Sequence, residues 1–201
     1  AVYALYKPLA EKDRDDINGI LSASNRFYNI SGSIFSGLVV LTAFIYPMLT
    51  SGQGIDPFTI AALVLIIGAS GALEFFAVGK YKVLYTADQK SYVISLINAA
   101  AGAMNAVIIL VLASLRLNIV IVQLAAMTSF FARSALYIIY GRLKYGDLDF
   151  SAPPKNEALD KRWDALVLQV LGAASTATPV VVTSLFVSLS EASVFVTYNM
   201  V

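Results

Sequence analysis

Residues 117–141, LNIVIVQLAAMTSFFARSALYIIYG, are apolar enough and long enough to cross a bilayer, yet one full charge, Arg133, interrupts them. A spanning helix needs about 20 apolar residues. A guanidinium at membrane depth costs a few kcal/mol, so it turns toward a protein interior or a wet cavity. Arg133 stands eight residues before Gly141, about 12 Å along a helix that rises about 1.5 Å per residue. From there it either faces a lumen or snorkels to the headgroups beside Tyr137 and Tyr140.

Four more runs have the same character: 27–49, 57–79 with Glu74 inside it, 91–115 and 165–190. The strict alternation of a transmembrane β-barrel is absent. Of 201 residues 58% are hydrophobic and 13% charged, against about 25% charged in a soluble domain. The expected fold is therefore an all-α integral membrane protein with five transmembrane helices. A net charge of +1 without a dense Lys/Arg run argues against a nucleic-acid partner. Cysteine and histidine are both absent, which removes disulfides, thiol or histidine catalysis and Cys/His metal sites. Carboxylate chemistry remains possible, but few carboxylates lie at membrane depth; we expect no catalytic residue, no metal and no cofactor, and not an enzyme.

Residues 1–26 carry Lys7, Glu11, Lys12, Asp13, Arg14, Asp15, Asp16 and Arg26, with a weak helical period in Leu9, Ile17, Ile20 and Leu21. They read as an amphipathic, water-facing connection. The cluster Asp13, Asp15, Asp16 lacks the glycine turn and closing glutamate of a calcium loop and reads as a solvated face. AVYALYKPLA lacks a basic stretch followed by an apolar core, and residues 191–201 look like the start of a further apolar run. The chain reads as an internal piece of a larger protein.

Lys and Arg set an orientation. Lys7, Lys12, Arg14, Arg26, Lys80, Lys82, Lys90, Arg142, Lys144, Lys155, Lys161 and Arg162 lie on one side, and Arg116 alone lies on the other. By the positive-inside rule the N-terminus and the 141–164 loop, broken by Pro153 and Pro154, are cytoplasmic.

Polar residues within the runs fall at helical spacing. Ser91, Ser95, Asn98, Gly102 and Asn105 share one face, as do Gln169, Gly172, Thr176, Thr183 and Ser190. Asn25, Asn29, Gly32, Ser36, Ala43 and Pro47 form a third, and Ala126, Ser129, Arg133, Tyr137 and Tyr140 a fourth. Amides are expensive against lipid, so these faces meet protein or water. Helix packing explains the small residues. The asparagines, Arg133 and Gln169 tilt the reading toward a shared hydrophilic lumen. Pro179, mid-helix in the last run, predicts a kink and hence a hinge. Glu74 has three readings: a structural pair with Arg133, solvation near Lys80 and Lys82, or a protonatable coupling site; the first two are favoured.

Several segments are familiar in texture: ALYKPLAEKDRDDINGILSASNRFY, YPML, KYKVLYTADQKSYV and EASVFVTYNMV. In these the chain resembles the polysaccharide flippases, the Wzx-type O-antigen and oligosaccharide exporters of the multidrug/oligosaccharidyl-lipid/polysaccharide superfamily. The resemblance implies a parent of two pseudo-symmetric bundles in a bacterial inner membrane. Residues 27–140 would finish the N-terminal bundle, 141–164 would be the central loop, and 165–190 would open the C-terminal bundle. It further implies flipping of an undecaprenyl-diphosphate-linked sugar repeat by alternating access, driven by a proton or sodium gradient, in lipopolysaccharide-type biosynthesis. Arg133, and after it Arg26, would engage the anionic diphosphate; Asn98, Asn105, Gln169 and Thr176 would bind glycan. Relatives often carry an acid mid-way along the seventh helix, where this chain has TATPVVV around Pro179. That departure weakens an ion site there.

Other classes stay open. A cation-coupled multidrug exporter of the same superfamily would rest on Glu74. A membrane-embedded enzyme would need catalytic groups in a large outside loop, and the outside loops here are short. A non-transport assembly subunit would need the polar faces only as packing seams.

Overall fold

Our computed structural model describes residues 1–50, 55–146, 148–155, 162–187 and 189–199; between 162 and 176 it describes most residues in backbone only. The elements in order are α1 (Val2–Glu11), α2 (Arg14–Leu49), α3 (Pro57–Leu73), a π-helical turn (Glu74–Val78), α4 (Gly79–Ala87), α5 (Ser91–Ser114), α6 (Ile119–Tyr145), α7 (Arg162–Phe186) and α8 (Leu189–Asn199). No strand interrupts them among the described residues. Four stretches there are long and apolar enough to cross a membrane: α2, the continuous Pro57–Ala87 helix, α5 and α6. The expected fifth run lies on α7, where the apolar stretch among described residues is the shorter Ala177–Phe186.

Helix starts follow local chemistry. The Asp13 carboxylate accepts from the backbone N–H groups of Asp15 and Asp16, both at 3.1 Å. Asp15 and Asp16 then place negative charge in the first turn, where the helix dipole favours it. The acidic cluster is thus a helix start, and α2 begins well before residue 27. Asp56 caps α3 ahead of Pro57, and Asn118 caps α6. At their far ends the helices also run on: Pro57–Ala87 passes residue 79, and α6 passes Gly141 to Tyr145.

The α2–α3 seam is a ladder of glycines facing large side chains. A Cβ on Gly68 would overlap Val39, and one on Gly71 would sit 3.0 Å from Phe35. One on Gly32 would sit 2.9 Å from Phe75, and one on Gly79 would sit 2.6 Å from Tyr28. The pairs advance along α2 as they retreat along α3, so the two helices are antiparallel and close together. Small residues permit such approach where lipid supplies no hydrophobic drive between helices. From there α3 packs on α6 and α6 on α5. At the other end of α2, Tyr46 donates to Ser184 of α7 at 3.0 Å.

The tight core sits at the end of the bundle that carries the basic residues. Leu5, Ile17, Ile20, Leu21, Val78, Leu84, Tyr85 and Tyr137 are buried together. Residues 1–26 are therefore less water-facing than their charge suggests, and their weak helical period marks an inward stripe. The Tyr85 ring lies near-parallel to Tyr137 at 5.8 Å and to Tyr145 at 6.0 Å, and its hydroxyl donates to the Tyr137 carbonyl at 2.5 Å. Just beyond, Tyr145 donates to Asp88 at 2.7 Å and Lys90 pairs with the same carboxylate. Burial works to raise the Asp88 pKa, but hydrogen bonds from Lys90 and Tyr145 and the charges of Lys90 and Lys144 outweigh it, leaving the group below its ordinary 3.8.

Two outcomes follow for unfolding in detergent. Gly68→Leu should lower stability by about 1–3 kcal/mol through overpacking, whereas Gly102→Ala, with open space around it, should lose nothing and gain up to about 1 kcal/mol of helix propensity. Because the folded pKa of Asp88 is depressed, its contribution is present above pH 3.8 and is lost as pH falls through the folded value. Melting curves of Asp88→Asn should therefore lack part of the acid-side loss that the parent shows.

Candidate functional site

The inward face of α6 is the one its spacing marks out. Ala126, Ser129 and Tyr137 are buried on it. Arg133 stands between them and is turned to the π-helical turn, where its Nη2 donates to Glu74 Oε2 at 2.6 Å. The other Glu74 oxygen accepts from the Lys82 ammonium. Lys82 lies eight residues further along the same helix, yet it reaches back because helical side chains lean toward the N-terminus. The side chains of Arg133 and Glu74 are 18% and 31% exposed. The Arg133 guanidinium carbon sits 5.3 Å from the Phe130 ring centre, and its buried Nε has no hydrogen-bond partner among the described residues. Two cations thus share one carboxylate, a cluster with a net charge of +1.

The neighbouring turns of α6 carry hydroxyls rather than charges. Ser129 donates to Asn105 Oδ1 at 3.1 Å, and Tyr137 donates to Asn98 Oδ1 at 3.3 Å. Both asparagines are half-buried on the α5–α6 seam, with their oxygens taken by α6. Arg133 and Glu74 are brought together in the pairing that the sequence offers. Pro179 lies inside α7, and its carbonyl accepts from Thr183 at 2.8 Å. The side chains of Gln169 and Thr176 lie outside the described residues.

Arg26 occupies different ground. It is exposed on α2 and has no hydrogen bond or ion pair among the described residues. It lines a groove of about 440 Å³ with Ser22, Asn25, Asn29 and Ser33 on its polar side and Ile30 and Ile34 on its apolar side. Phe150, from the segment after α6, roofs it. Lys80 ties the roof to the floor: its ammonium donates to Asn25 Oδ1 at 3.3 Å and lies 4.5 Å from the Phe150 ring centre. Sequence reasoning places Asn25 and Asn29 on one face, but it does not find Phe150 or Lys80. Lys80 appears as one of three basic residues near a helix end, and nothing periodic marks Phe150.

Among the described residues no group of three or more acidic side chains is placed to hold a metal ion. What the arrangement offers is cationic hydrogen-bond donors beside amides and hydroxyls. Such a set suits an anionic headgroup carrying polar substituents. No protein-family model, no curated protein and no solved structure matches this chain.

Removing Glu74 strands both Arg133 and Lys82, whereas removing Arg133 leaves Glu74 with Lys82, so the Glu74 change should cost more. A double-mutant cycle of Glu74→Gln and Arg133→Gln, read by unfolding in detergent, should return a coupling of roughly 0.5–3 kcal/mol. A coupling near zero would remove the ion pair from the account of this site.

Proposed function

We propose that this chain is part of a multi-pass transporter that flips a lipid-linked, diphosphate-bearing oligosaccharide across a bacterial cell membrane by alternating access. In this reading α7 is the fifth span and opens a second bundle, and the basic end faces the cytoplasm. The observation that carries the reading is the Arg26 groove. There a guanidinium with no hydrogen bond or ion pair among the described residues stands among four short polar side chains, with an isoleucine edge continuing along α2. A guanidinium binds phosphate oxygens bidentately, amides and hydroxyls suit sugar, and the apolar edge suits the lipid tail.

In this reading the two arginines exchange rank. Arg133 is already engaged by Glu74, so it acts as part of the charged wall, and Arg26 makes first contact. The cation-coupled exporter needs Glu74 to take an ion, but that carboxylate has two cationic partners that a coupling ion would have to displace. The groove supports the flippase reading more strongly.

The test is made in the full-length protein. Arg26→Ala should abolish surface polysaccharide while membrane insertion is retained, and Arg26→Lys should restore only part of it, because a point charge lacks the fork. Normal polysaccharide with correctly inserted Arg26→Ala would overturn the reading.

A further inference from the structure

The segment between α6 and α7 does more than connect them. The chain leaves α6 at Gly146, whose φ of +69° permits a reversal there. It then runs back over the start of α2. The Asp149 N–H donates to Asn18 Oδ1 at 3.3 Å, and the Lys155 N–H donates to the Gly19 carbonyl at 3.1 Å. The Lys155 ammonium pairs with Asp16. Gly19 is the seat. A Cβ there would come within 3.0 Å of Lys155 Cγ and 3.3 Å of the Pro153 carbonyl. Between these fastenings Phe150 lies edge-on to Tyr81 at 5.6 Å and under Lys80, and forms the roof of the groove.

We propose that residues 148–155 are a detachable strap that closes the basic end of the Arg26 groove, and that the strap lifts to admit the ligand. The second half rests on the transport reading; the closure itself does not.

Three observations support a strap that both holds and releases. Its ion pair is open to water, with the Lys155 and Asp16 side chains 54% and 41% exposed, so solvent and salt weaken it. Its two backbone fastenings each use a single hydrogen bond to α2. Pro153 and Pro154 fix φ at two successive positions and so stiffen the segment. The acidic start of α2 adds attraction over a wider range: the hydrogen bond to Asp16, with the charges of Asp16, Asp13 and Asp15, holds the Lys155 ammonium above the usual lysine range. Asp13, Asp15 and Asp16 thus serve twice, starting α2 and drawing the strap onto it.

The test uses the full-length protein, cysteine-free, with Ser22→Cys as reporter. Ser22 lines the groove and is only 7% exposed. Lys155→Glu should speed its labelling by a charged thiol reagent several-fold, because it removes an exposed ion pair worth up to about fivefold and adds repulsion from Asp13, Asp15 and Asp16. Adding Asp16→Lys should return the rate toward that of the parent, which a misfolded variant would not do. Phe150→Ala should speed labelling without touching the ion pair. Unchanged rates in both Lys155→Glu and Phe150→Ala would overturn the closure. For the lifting step, Asn18→Cys with Asp149→Cys is oxidised to lock the strap. Export should stop and return on reduction, and undiminished export from the locked protein would overturn that step. If labelling responds as expected while Arg26→Ala exports normally, the strap stands and the ligand-binding role of Arg26 falls.

Discussion

A charge that leaves water within a bilayer must find its partner inside the protein, because the hydrocarbon offers none. Arg133 meets that requirement through Glu74, and the local architecture is arranged around the pair. The π-helical turn at Glu74–Val78 lies where α3 passes α6 and presents the carboxylate to the guanidinium. Such turns are rare and concentrate at functional sites. Lys82 completes the cluster and leaves it with one positive charge in excess.

Everything near the pair is packed to hold helices at fixed separation. The glycine ladder sets α3 close against α2, and Gly141 admits Tyr81 and Tyr85 to the side of α6. The tyrosine stack around Tyr85 then joins α4 to α6 at the basic end. Aromatic rings bury large apolar area while keeping a polar tip, which suits a core that adjoins water. Large apolar side chains such as Phe44, Leu96 and Leu110 face outward, as they must where the surroundings are lipid or further helices.

The groove and the strap occupy the softer ground between this core and the surroundings. Among the described residues Arg26 has no hydrogen bond or ion pair, the strap's ion pair with Asp16 is open to water, and Phe150 belongs to no helix. Under the proposed transport reading, that combination supplies groups that bind and a cover that costs little to move.

Much of this is written in the sequence. Spans of about 20 apolar residues announce membrane helices without any tertiary knowledge, since the bilayer sets their length. Helical spacing marks the inward face of α6, and the scarcity of acids at membrane depth leaves Glu74 as the candidate partner of Arg133. Periodicity also hints at the buried stripe of residues 1–26, though their charge argues for water. Which neighbours those faces meet is another matter. That Asn98 bonds Tyr137, that Gly68 seats Val39, and that Phe150 and Arg26 line one groove depend on residues 29 to 124 positions apart. A one-dimensional pattern shows which side of a helix avoids lipid, because that depends on each residue's own chemistry. The choice of partner depends on shape and distance between helices, and those exist only once the chain has packed.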